Sequence, residues 1–266
     1  MATFAPAKGT DRNIMISVLG WFHIWCGESA LVSVPRASQR LLAFLALNGG
    51  VVNRATVAGT LWPDASENHA YSNLRSALAR LEHPCRMALQ VSKLDLGLAD
   101  DVVVDLRRSQ TLARRLLDPT LTPGESDLTA SAVVALSAGL LPGWYDDWVL
   151  IEADHWRQLR LHALEALTER LSAAGRWGEA ADAAGAAVRA EPLRESARAA
   201  LIQVHLAEGN QSEALREFAR YRALLHIELG LEPTPRLRRL VQGEQSRNVQ
   251  GDNLRGLSGS PVRETF

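Results

Sequence analysis

The sequence has few cysteines and no long apolar run. Its 266 residues include only two cysteines, Cys26 and Cys85, which lie in different segments without the spacing of metal ligands. This argues against a disulfide framework and favours reduced thiols. No apolar run reaches the roughly 20 residues of a membrane span, and the start, MATFAPAKGTDRN, lacks a hydrophobic signal region. We therefore expect a soluble, cytoplasmic protein with no membrane partner.

An excess of charge of either sign is also lacking. The net charge is −1 at pH 7, so the chain as a whole is not a strongly basic, nonspecific nucleic-acid binder. An anionic partner would have to be recognised by a local patch. Hydrophobic residues make up 47% of the chain, which is ample for a core, and a length of 266 residues favours two domains.

Catalytic fingerprints are absent as well: there is no phosphate-binding loop, nucleophile elbow, metal-ligand spacing or dinucleotide motif. An acidic cluster in WYDDWVLIEADHW comprises Asp146, Asp147, Glu152, Asp154 and His155. Carboxylates beside a histidine can bind a metal or transfer protons, but the first turns of a helix also favour acidic residues. Because a long helix is predicted to begin here, we expect no enzyme, no cofactor and no metal site.

The first part of the chain has the element order of a winged helix. Residues 14–34 combine β-branched and aromatic residues with glycines, which predicts two to four short strands. The predicted elements that follow are helices at Ser38–Gly50, at Asn53–Pro63 and from Ser66 onward, then two strands around Ser92–Lys93 and an exit strand. This order is that of the response-regulator type of winged helix-turn-helix.

From Asp105 onward the pattern is helical and contains a repeat. Gly175 and Gly209 are 34 positions apart, as are Glu179 and Glu213. A 34-residue period is the signature of tetratricopeptide repeats, in which neighbouring helix pairs stack their apolar faces. The predicted fold class is mostly α with small β: an N-terminal winged helix and then an all-α, tetratricopeptide-like domain. The predicted segments are a flexible N-terminus (1–12), the winged helix (13–104), the helical domain (105–242) and a disordered tail (243–266).

The third predicted helix, within AYSNLRSALARLEHP, has an unusually smooth outer face. Leu74, Leu78 and Leu81 recur at helical spacing and form its apolar face. The opposite face carries small or polar residues, with Arg75 and Arg80 at its margins. Small side chains permit close approach to DNA, and Arg and Asn can hydrogen-bond base edges in the major groove. This profile predicts a recognition helix.

Local charge agrees with this interpretation. Between residues 36 and 93 there are seven basic residues against three acidic ones. The basic residues are Arg36, Arg40, Arg54, Arg75, Arg80, Arg86 and Lys93. The second predicted helix begins at Asn53 and Arg54, where backbone amides and a guanidinium suit a phosphate. The local excess of basic over acidic residues indicates a surface that binds an anionic partner.

Several long segments of the sequence resemble those of a known family. QRLLAFLALNGG, LWPDASENHAYSNLRSALARLEHP and ADDVVVDLR are similar to the DNA-binding half of the Streptomyces antibiotic regulatory protein family. LLPGWYDDWVLIEADHWRQLRLHALEALTERL and AVRAEPLRESARAALIQVHLAEGNQSEALREF are similar to its bacterial transcriptional activator domain. The resemblance covers residues 14–241 and implies a transcriptional activator that binds direct repeats in double-stranded promoter DNA, at the nucleoid. It also implies a homodimer on DNA, recruitment of RNA polymerase through its sigma factor and alpha subunit, and control of a secondary-metabolite (antibiotic) gene cluster.

The same resemblance implies roles for individual residues. Those expected to face base edges are Ser72, Asn73, Arg75, Ser76 and Arg80. Those expected to face phosphates are Asn53, Arg54, Thr56 and Lys93. The sequence departs from the family pattern at Glu82, a place that is often basic. The hairpin tip at Ser92–Lys93 is also short, which argues against minor-groove reading by the wing.

A second function stays open at this point. The helical array could bind a peptide or ligand on its concave surface, with the winged helix serving only for docking. The protein would then be an interaction scaffold or a ligand-responsive regulator. The third helix distinguishes the two, because a scaffold has no use for Arg75 and Arg80 beside a smooth polar face.

Overall fold

The computed structural model describes residues 14–26, 30–121 and 124–242. They form two compact units. The first unit reaches residue 122 and also contains residues 134–160, and the second contains residues 123–133 and the chain from residue 161 onward. The predicted flexible N-terminus, the predicted disordered tail and part of the predicted strand region lie outside the described residues.

Short strands and helices alternate in the first unit. Its elements are β1 (Ile14–Ser17), β2 (His23–Cys26), β3 (Ala30–Leu31), α1 (Arg36–Asn48), β4 (Val52–Asn53), α2 (Arg54–Leu61), α3 (Glu67–Ala79), α4 (His83–Met87), β5 (Leu89–Val91), β6 (Asp95–Leu98), β7 (Val103–Val104) and α5 (Asp105–Leu117). This order confirms the predicted succession of strands, three helices, a hairpin and an exit strand. Helix α4 is an addition that the local sequence pattern did not predict.

The strands form two small sheets. One sheet has the order β3-β2-β1-β7, in which β1 is antiparallel to β2 and parallel to β7. The other has the order β4-β6-β5 and is antiparallel throughout, with Asn53 opposite Asp95 and Val91 opposite Leu96. Strands β5 and β6 form the predicted hairpin, with Ser92 and Lys93 at its tip. We refer to this hairpin, residues 89–98, as the wing.

Helices α1 and α3 supply the centre of the first unit. Leu41, Leu42 and Leu45 of α1 are fully buried, as is Leu74 of α3. Beside these apolar contacts, the buried hydroxyl of Ser38 on α1 donates to a carbonyl oxygen of α3 at 2.7 Å. A buried hydroxyl with a partner avoids the cost of an unsatisfied polar group and favours one register of the two helices. The apolar face of α3 is thereby held inward and its opposite face outward.

Asp105, the first residue of α5, connects distant parts of the first unit. Its carboxylate accepts hydrogen bonds from the hydroxyl of Ser17 and from the backbone amides of Val18 and Leu19, the last two at 2.9 and 3.1 Å. It also accepts from the amide of Leu106 at 2.7 Å. One side chain therefore fixes the end of β1 to the start of α5, although 88 positions separate Ser17 from Asp105.

Arg107 of α5 binds the C-terminal end of α1. Its guanidinium donates to the carbonyl oxygens of Leu45 and Ala46 at 3.3 and 3.2 Å. Carbonyls in the last turn of a helix lack intrahelical partners, so a cation there is stabilising. Helix α5 therefore belongs to the first compact unit. A compact unit and a sequence domain need not share limits, so the division into residues 13–104 and 105–242 stays a prediction.

The rest of the described chain is helical. Its elements are a 3-10 turn (Glu125–Asp127), α6 (Ala130–Ser137), α7 (Asp147–Ala173), α8 (Trp177–Ala190), α9 (Glu195–Ala207), α10 (Gln211–Leu229) and a last helix over residues 235–242. Helix α8 packs on α9 and α9 on α10. Alanines form the buried face of α8, and small side chains let neighbouring helices approach closely. Within the ranges described, no helix is both long and apolar enough to cross a membrane.

The 34-residue repeat is visible in the turns between helices. Gly175 and Gly209 have φ angles of 71° and 87°, a left-handed conformation that favours glycine. In each turn the amide of the residue after the glycine donates to the carbonyl oxygen five residues earlier. Arg176 donates to Leu171 at 3.0 Å, and Asn210 donates to His205 at 2.7 Å. The same helix-ending turn is thus built twice, 34 positions apart.

Glu165 of α7 links this helix to the start of α9. Its carboxylate accepts from the Arg194 guanidinium at 2.7 Å and from the Ser196 hydroxyl at 2.6 Å. Burial by itself would raise the pKa of Glu165, but the hydrogen bonds from Arg194 and Ser196 and the charge of Arg194 outweigh it and hold the pKa below its ordinary value. The ionised carboxylate is therefore part of the packing of the second unit.

Candidate DNA-binding surface

Helix α3 has one buried and one exposed face. Ala70, Leu74 and Ala77 are buried, at spacings of three and four residues. The residues predicted to face base edges, Ser72, Asn73, Arg75, Ser76 and Arg80, are all exposed. Leu78, assigned from the sequence to the apolar face, is only half-buried. The exposed face therefore has the composition predicted for a recognition helix.

The third helix is shorter than its apolar spacing predicted. Helix α3 ends at Ala79, and Leu81 is buried in the turn that follows. The guanidinium of Arg86 donates to the Ala79 carbonyl oxygen at 2.6 Å and so caps the helix end. Arg80 stands at the C-cap, one residue beyond the last turn, and Glu82 at the N-cap of α4 is exposed.

The start of α2 carries two of the residues predicted to face phosphates. The side-chain oxygen of Asn53 accepts from the amide of Ala55 at 2.9 Å, which makes Asn53 the N-cap of the helix. Asn53 and Thr56 are both exposed. The amide of Ala55 is thus already occupied, whereas the hydroxyl of Thr56 lies exposed at a helix N-terminus, a place that favours an anion such as a phosphate.

Arg54 connects α2 to the wing. Its amide donates to the carbonyl oxygen of Leu94 at 2.8 Å, and its guanidinium donates to that of Ser92 at 3.3 Å. The sequence assigned Arg54 only to phosphates and missed this structural contact, because Arg54 and Ser92 are 38 positions apart. The contact occupies one of the five N–H groups of the guanidinium. It brings Asn53, Arg54 and Lys93 into one region of the surface.

The tip of the wing is an ordered turn. The hydroxyl of Ser92 accepts from the amides of Leu94 and Asp95 at 3.2 and 2.8 Å, and the Ser92 amide donates to the Asp95 carbonyl oxygen at 3.0 Å. Three residues therefore turn the chain between β5 and β6, and the predicted short tip is confirmed. Lys93 lies at its apex and is exposed.

The seven basic residues between positions 36 and 93 fall into two sets. Four are engaged within the first unit: Arg36 lies over the Trp144 ring, Arg40 pairs with Asp146 at 2.5 Å, Arg54 binds Ser92, and Arg86 binds Ala79. Among the described residues, the side chains of Arg75, Arg80 and Lys93 have no such partner and are exposed. Of the seven, Arg40 is paired with a carboxylate. The basic side chains without a contact in the described fold are those of α3, its C-cap and the wing tip.

The acidic cluster considered from the sequence has internal partners. Asp146 accepts from Arg40, Asp154 pairs with Arg157 at 2.8 Å, and Glu152 lies 3.7 Å from His155. The last two pairs are between neighbours on α7. In the part of the chain that is described, no group of three or more histidine, cysteine, aspartate or glutamate residues is placed to hold a metal ion.

One exposed residue of α3 was not among the predicted contacts. His69 precedes Ser72, Asn73 and Ser76 by three, four and seven positions, which places all four on one stripe of the helix. Its Nδ1 atom lies 2.9 Å from the hydroxyl oxygen of Ser66. Helical spacing places His69 on the exposed face, but the contact that orients its ring is visible only in the folded chain.

Three packed helices with a hairpin wing define the winged helix, a class of DNA-binding fold, and here a helical array follows it in the chain. The family described as the bacterial transcriptional activator domain matches residues 104–243, which is more than half of the chain. The chain therefore belongs to the bacterial transcriptional activator domain family. Because this domain is one of transcription regulators and not an enzyme domain, the expectation that the chain is not an enzyme is confirmed.

Two relatives are regulatory proteins of Streptomyces. The chain is 28% identical over 254 residues to the regulatory protein AfsR of Streptomyces griseus, with 88% of this chain and 24% of that protein covered. It is 29% identical over 284 residues to the regulatory protein AfsR of Streptomyces coelicolor, with coverages of 98% and 27%. The chain thus spans about a quarter of the length of these relatives. The family resemblance drawn from the sequence is confirmed.

The fold is shared with a solved structure. The structure of Mycobacterium tuberculosis EmbR in complex with low affinity phosphopeptide matches with a TM-score of 0.63 and 21% sequence identity, over 87% of this chain and 64% of that one. The predicted fold class, mostly α with small β and a winged helix before a helical domain, is confirmed.

Proposed function

We propose that this protein is a sequence-specific transcriptional activator that binds double-stranded promoter DNA through α3 and the wing. The observation that carries the proposal is the separation of the basic residues: on the described surface the side chains of Arg75, Arg80 and Lys93 are exposed and make no contact within the fold, whereas those of the other four basic residues of this region do. Unpaired cations beside small polar residues suit a polyanion that approaches closely.

In this function α3 lies in the major groove. The residues that face base edges are Ser72, Asn73, Arg75, Ser76 and Arg80, of which Asn and Arg can make bidentate contacts to adenine and guanine. The residues that face phosphates are Asn53, Arg54, Thr56 and Lys93. Since Arg54 contacts Ser92, the residue before Lys93, these phosphate contacts would set the register in which α3 enters the groove.

The family and the relatives support the wider role. The matched domain is described as a transcriptional activator domain, and both AfsR relatives are regulatory proteins. We infer that two protomers bind adjacent direct repeats as a homodimer and recruit RNA polymerase through its sigma factor and alpha subunit. The regulated genes would form a secondary-metabolite (antibiotic) cluster.

Selection of bound duplexes from a random pool at near-physiological salt tests the DNA-binding function. We expect enrichment of direct repeats whose half-sites are spaced by about one helical turn. The double variant Arg75→Ala, Arg80→Ala should lose this enrichment while its circular dichroism and thermal unfolding stay unchanged. The double variant Arg108→Ala, Arg114→Ala removes the same charge from exposed positions on α5 and should select the same motif as the wild type.

Absence of any enriched motif with the wild-type protein would contradict this proposal. The alternative stated from the sequence, an interaction scaffold or ligand-responsive regulator whose winged helix only docks, would then become the better account.

A further inference from the structure

We propose that His69 is a specificity-determining residue that donates a hydrogen bond from Nε2 to guanine at the edge of each half-site bound by the N-terminal end of α3. This inference deepens the proposed function and rests on it. It concerns a residue outside the set of contacts assigned above. It is carried by the position of His69, by the contact that orients its ring and by the chemistry that the ring then presents.

The position of His69 is on the stripe proposed to enter the groove. Helical spacing aligns it with Ser72, Asn73 and Ser76, and all four are exposed. It lies in the first turn of α3, which begins at Glu67. The N-terminal residues of a recognition helix are the ones that reach base edges in helix-turn-helix complexes. His69 therefore stands where a base contact is made, rather than at the margin of the helix.

The ring of His69 is held by Ser66. Ser66 occupies the N-cap of α3, where a serine hydroxyl usually accepts from a backbone amide of the first turn. Here the hydroxyl makes no capping bond and instead contacts Nδ1 of His69 at 2.9 Å. An exposed side chain otherwise samples several rotamers, so this contact lowers the entropy that the ring would lose on binding.

The direction of this contact decides what the ring offers to DNA. In the proposed arrangement the Ser66 hydroxyl donates to Nδ1, so the proton of the neutral imidazole is on Nε2 and the outer nitrogen is a donor. The imidazolium donates from Nε2 as well. In the major groove guanine presents two acceptors side by side, N7 and O6, to such a donor. Adenine presents N7 beside an amino donor, thymine presents O4 beside a methyl group, and cytosine presents a donor, so guanine is the best match for the ring.

The first experiment repeats the selection from random duplexes with His69→Ala. Relative to the wild-type motif, we expect the preference for guanine to fall by about fivefold or more at one position in each half-site, with the other positions unchanged. His83→Ala, at an exposed histidine on α4, serves as the matched control and should keep the wild-type motif. Retention of every preference by His69→Ala would overturn the inference.

The second experiment replaces that guanine with 7-deazaguanine, which removes the N7 acceptor and keeps the base pair. The wild type should lose affinity on this duplex, whereas His69→Ala should bind both duplexes equally. Ser66→Ala should bind the guanine duplex with an affinity between those of the wild type and His69→Ala. Its thermal unfolding should be unchanged, because the Ser66 hydroxyl makes no capping bond. Equal losses of affinity for the wild type and His69→Ala on the 7-deazaguanine duplex would overturn the inference. It would also be overturned if the two proteins differed only on a duplex in which a methylphosphonate replaces one phosphate, because His69 would then contact that phosphate.

The two proposals fail in different ways. If the wild type selects no motif, both the proposed function and this inference are wrong. If the wild type selects a motif that His69→Ala reproduces in full, the activator function stands and only the role of His69 is wrong.

Discussion

The guanidinium of Arg54 at the start of α2 donates to the carbonyl oxygen of Ser92 at the tip of the wing, at 3.3 Å. We expect Arg54→Ala to loosen the wing, because the side-chain link between the two elements is lost. The cost in folding free energy should be about 1 kcal/mol or less, since the bond is exposed. Hydrogen exchange measured by mass spectrometry should be faster in residues 89–98 and unchanged elsewhere. Thr56→Ala, at an exposed position of the same helix, is the control, and equal exchange in the two variants would contradict the prediction.

Lys93 and Arg75 should differ in the kind of binding they support. Lys93→Ala should weaken binding to specific and nonspecific duplexes alike and lower the slope of log K against log salt by about one. Arg75→Ala should relax the preference at one base pair, at a cost of about 1 to 3 kcal/mol for the specific duplex only. Titrations of both duplexes at three salt concentrations measure the two effects. An unchanged salt slope in Lys93→Ala would contradict the assignment of Lys93 to a phosphate.

Asp105 should be a main determinant of stability in the first unit. Asp105→Ala leaves the Ser17 hydroxyl and the amides of Val18 and Leu19 without their acceptor, so we expect a loss of about 2 to 4 kcal/mol. Asp105→Asn keeps one acceptor oxygen but turns an amide donor toward other donors, and its loss should be intermediate. Denaturant unfolding measures both. Asp101→Ala, at an exposed turn, is the control and should lose little folding free energy. An equally small loss for Asp105→Ala would show that the Asp105 carboxylate is dispensable.

Glu165 should make stability depend on pH. Its pKa is below the ordinary value because the contacts with Arg194 and Ser196 outweigh burial, so folding favours the ionised form. The contribution is therefore present above the unfolded pKa, which is about 4.3 for Glu, and is lost as pH falls through the lower folded pKa. At pH 7 we expect Glu165→Gln to lower the unfolding free energy by about 1 to 3 kcal/mol.

Urea unfolding of the wild type and Glu165→Gln at several pH values checks this. The difference between the two proteins should shrink as the pH falls below about 4. Glu169→Gln changes an exposed carboxylate of the same helix and should show little difference at any pH. If the difference in unfolding free energy between the wild type and Glu165→Gln grew as the pH fell, the prediction would be wrong.

Local pattern was enough to predict the elements that depend on neighbours in the chain. The 34-position spacing of Gly175 and Gly209 predicted a repeat, and both glycines end a helix in the left-handed conformation. The three- and four-residue spacings between Leu74, Leu78 and Leu81 predicted which side of α3 is buried. Such features follow from helix geometry and from the conformational freedom of glycine, which act over a few residues.

Contacts between distant segments could not be predicted in this way. Arg54 had the composition of a phosphate ligand, and only the folded chain shows its bond to Ser92. The sequence placed Arg107 on a predicted helix, and only the folded chain shows that its guanidinium binds the last turn of α1. The orientation of His69 depends on a serine that, by its position, would be expected to cap the helix. In each case a polar side chain has two possible partners, and tertiary packing decides between them.

The separation of the basic residues into engaged and unpaired sets bears on how such a regulator would respond to its own abundance. If DNA is bound as proposed, Arg54, Arg75, Arg80 and Lys93 would displace only a few counterions, so one protomer would hold a single half-site weakly. In the proposed dimer on direct repeats, stable occupancy would require a second protomer, so occupancy would rise with roughly the square of the protein concentration. A sparsely charged surface of this kind would convert a modest rise in protein level into a sharp change in promoter state.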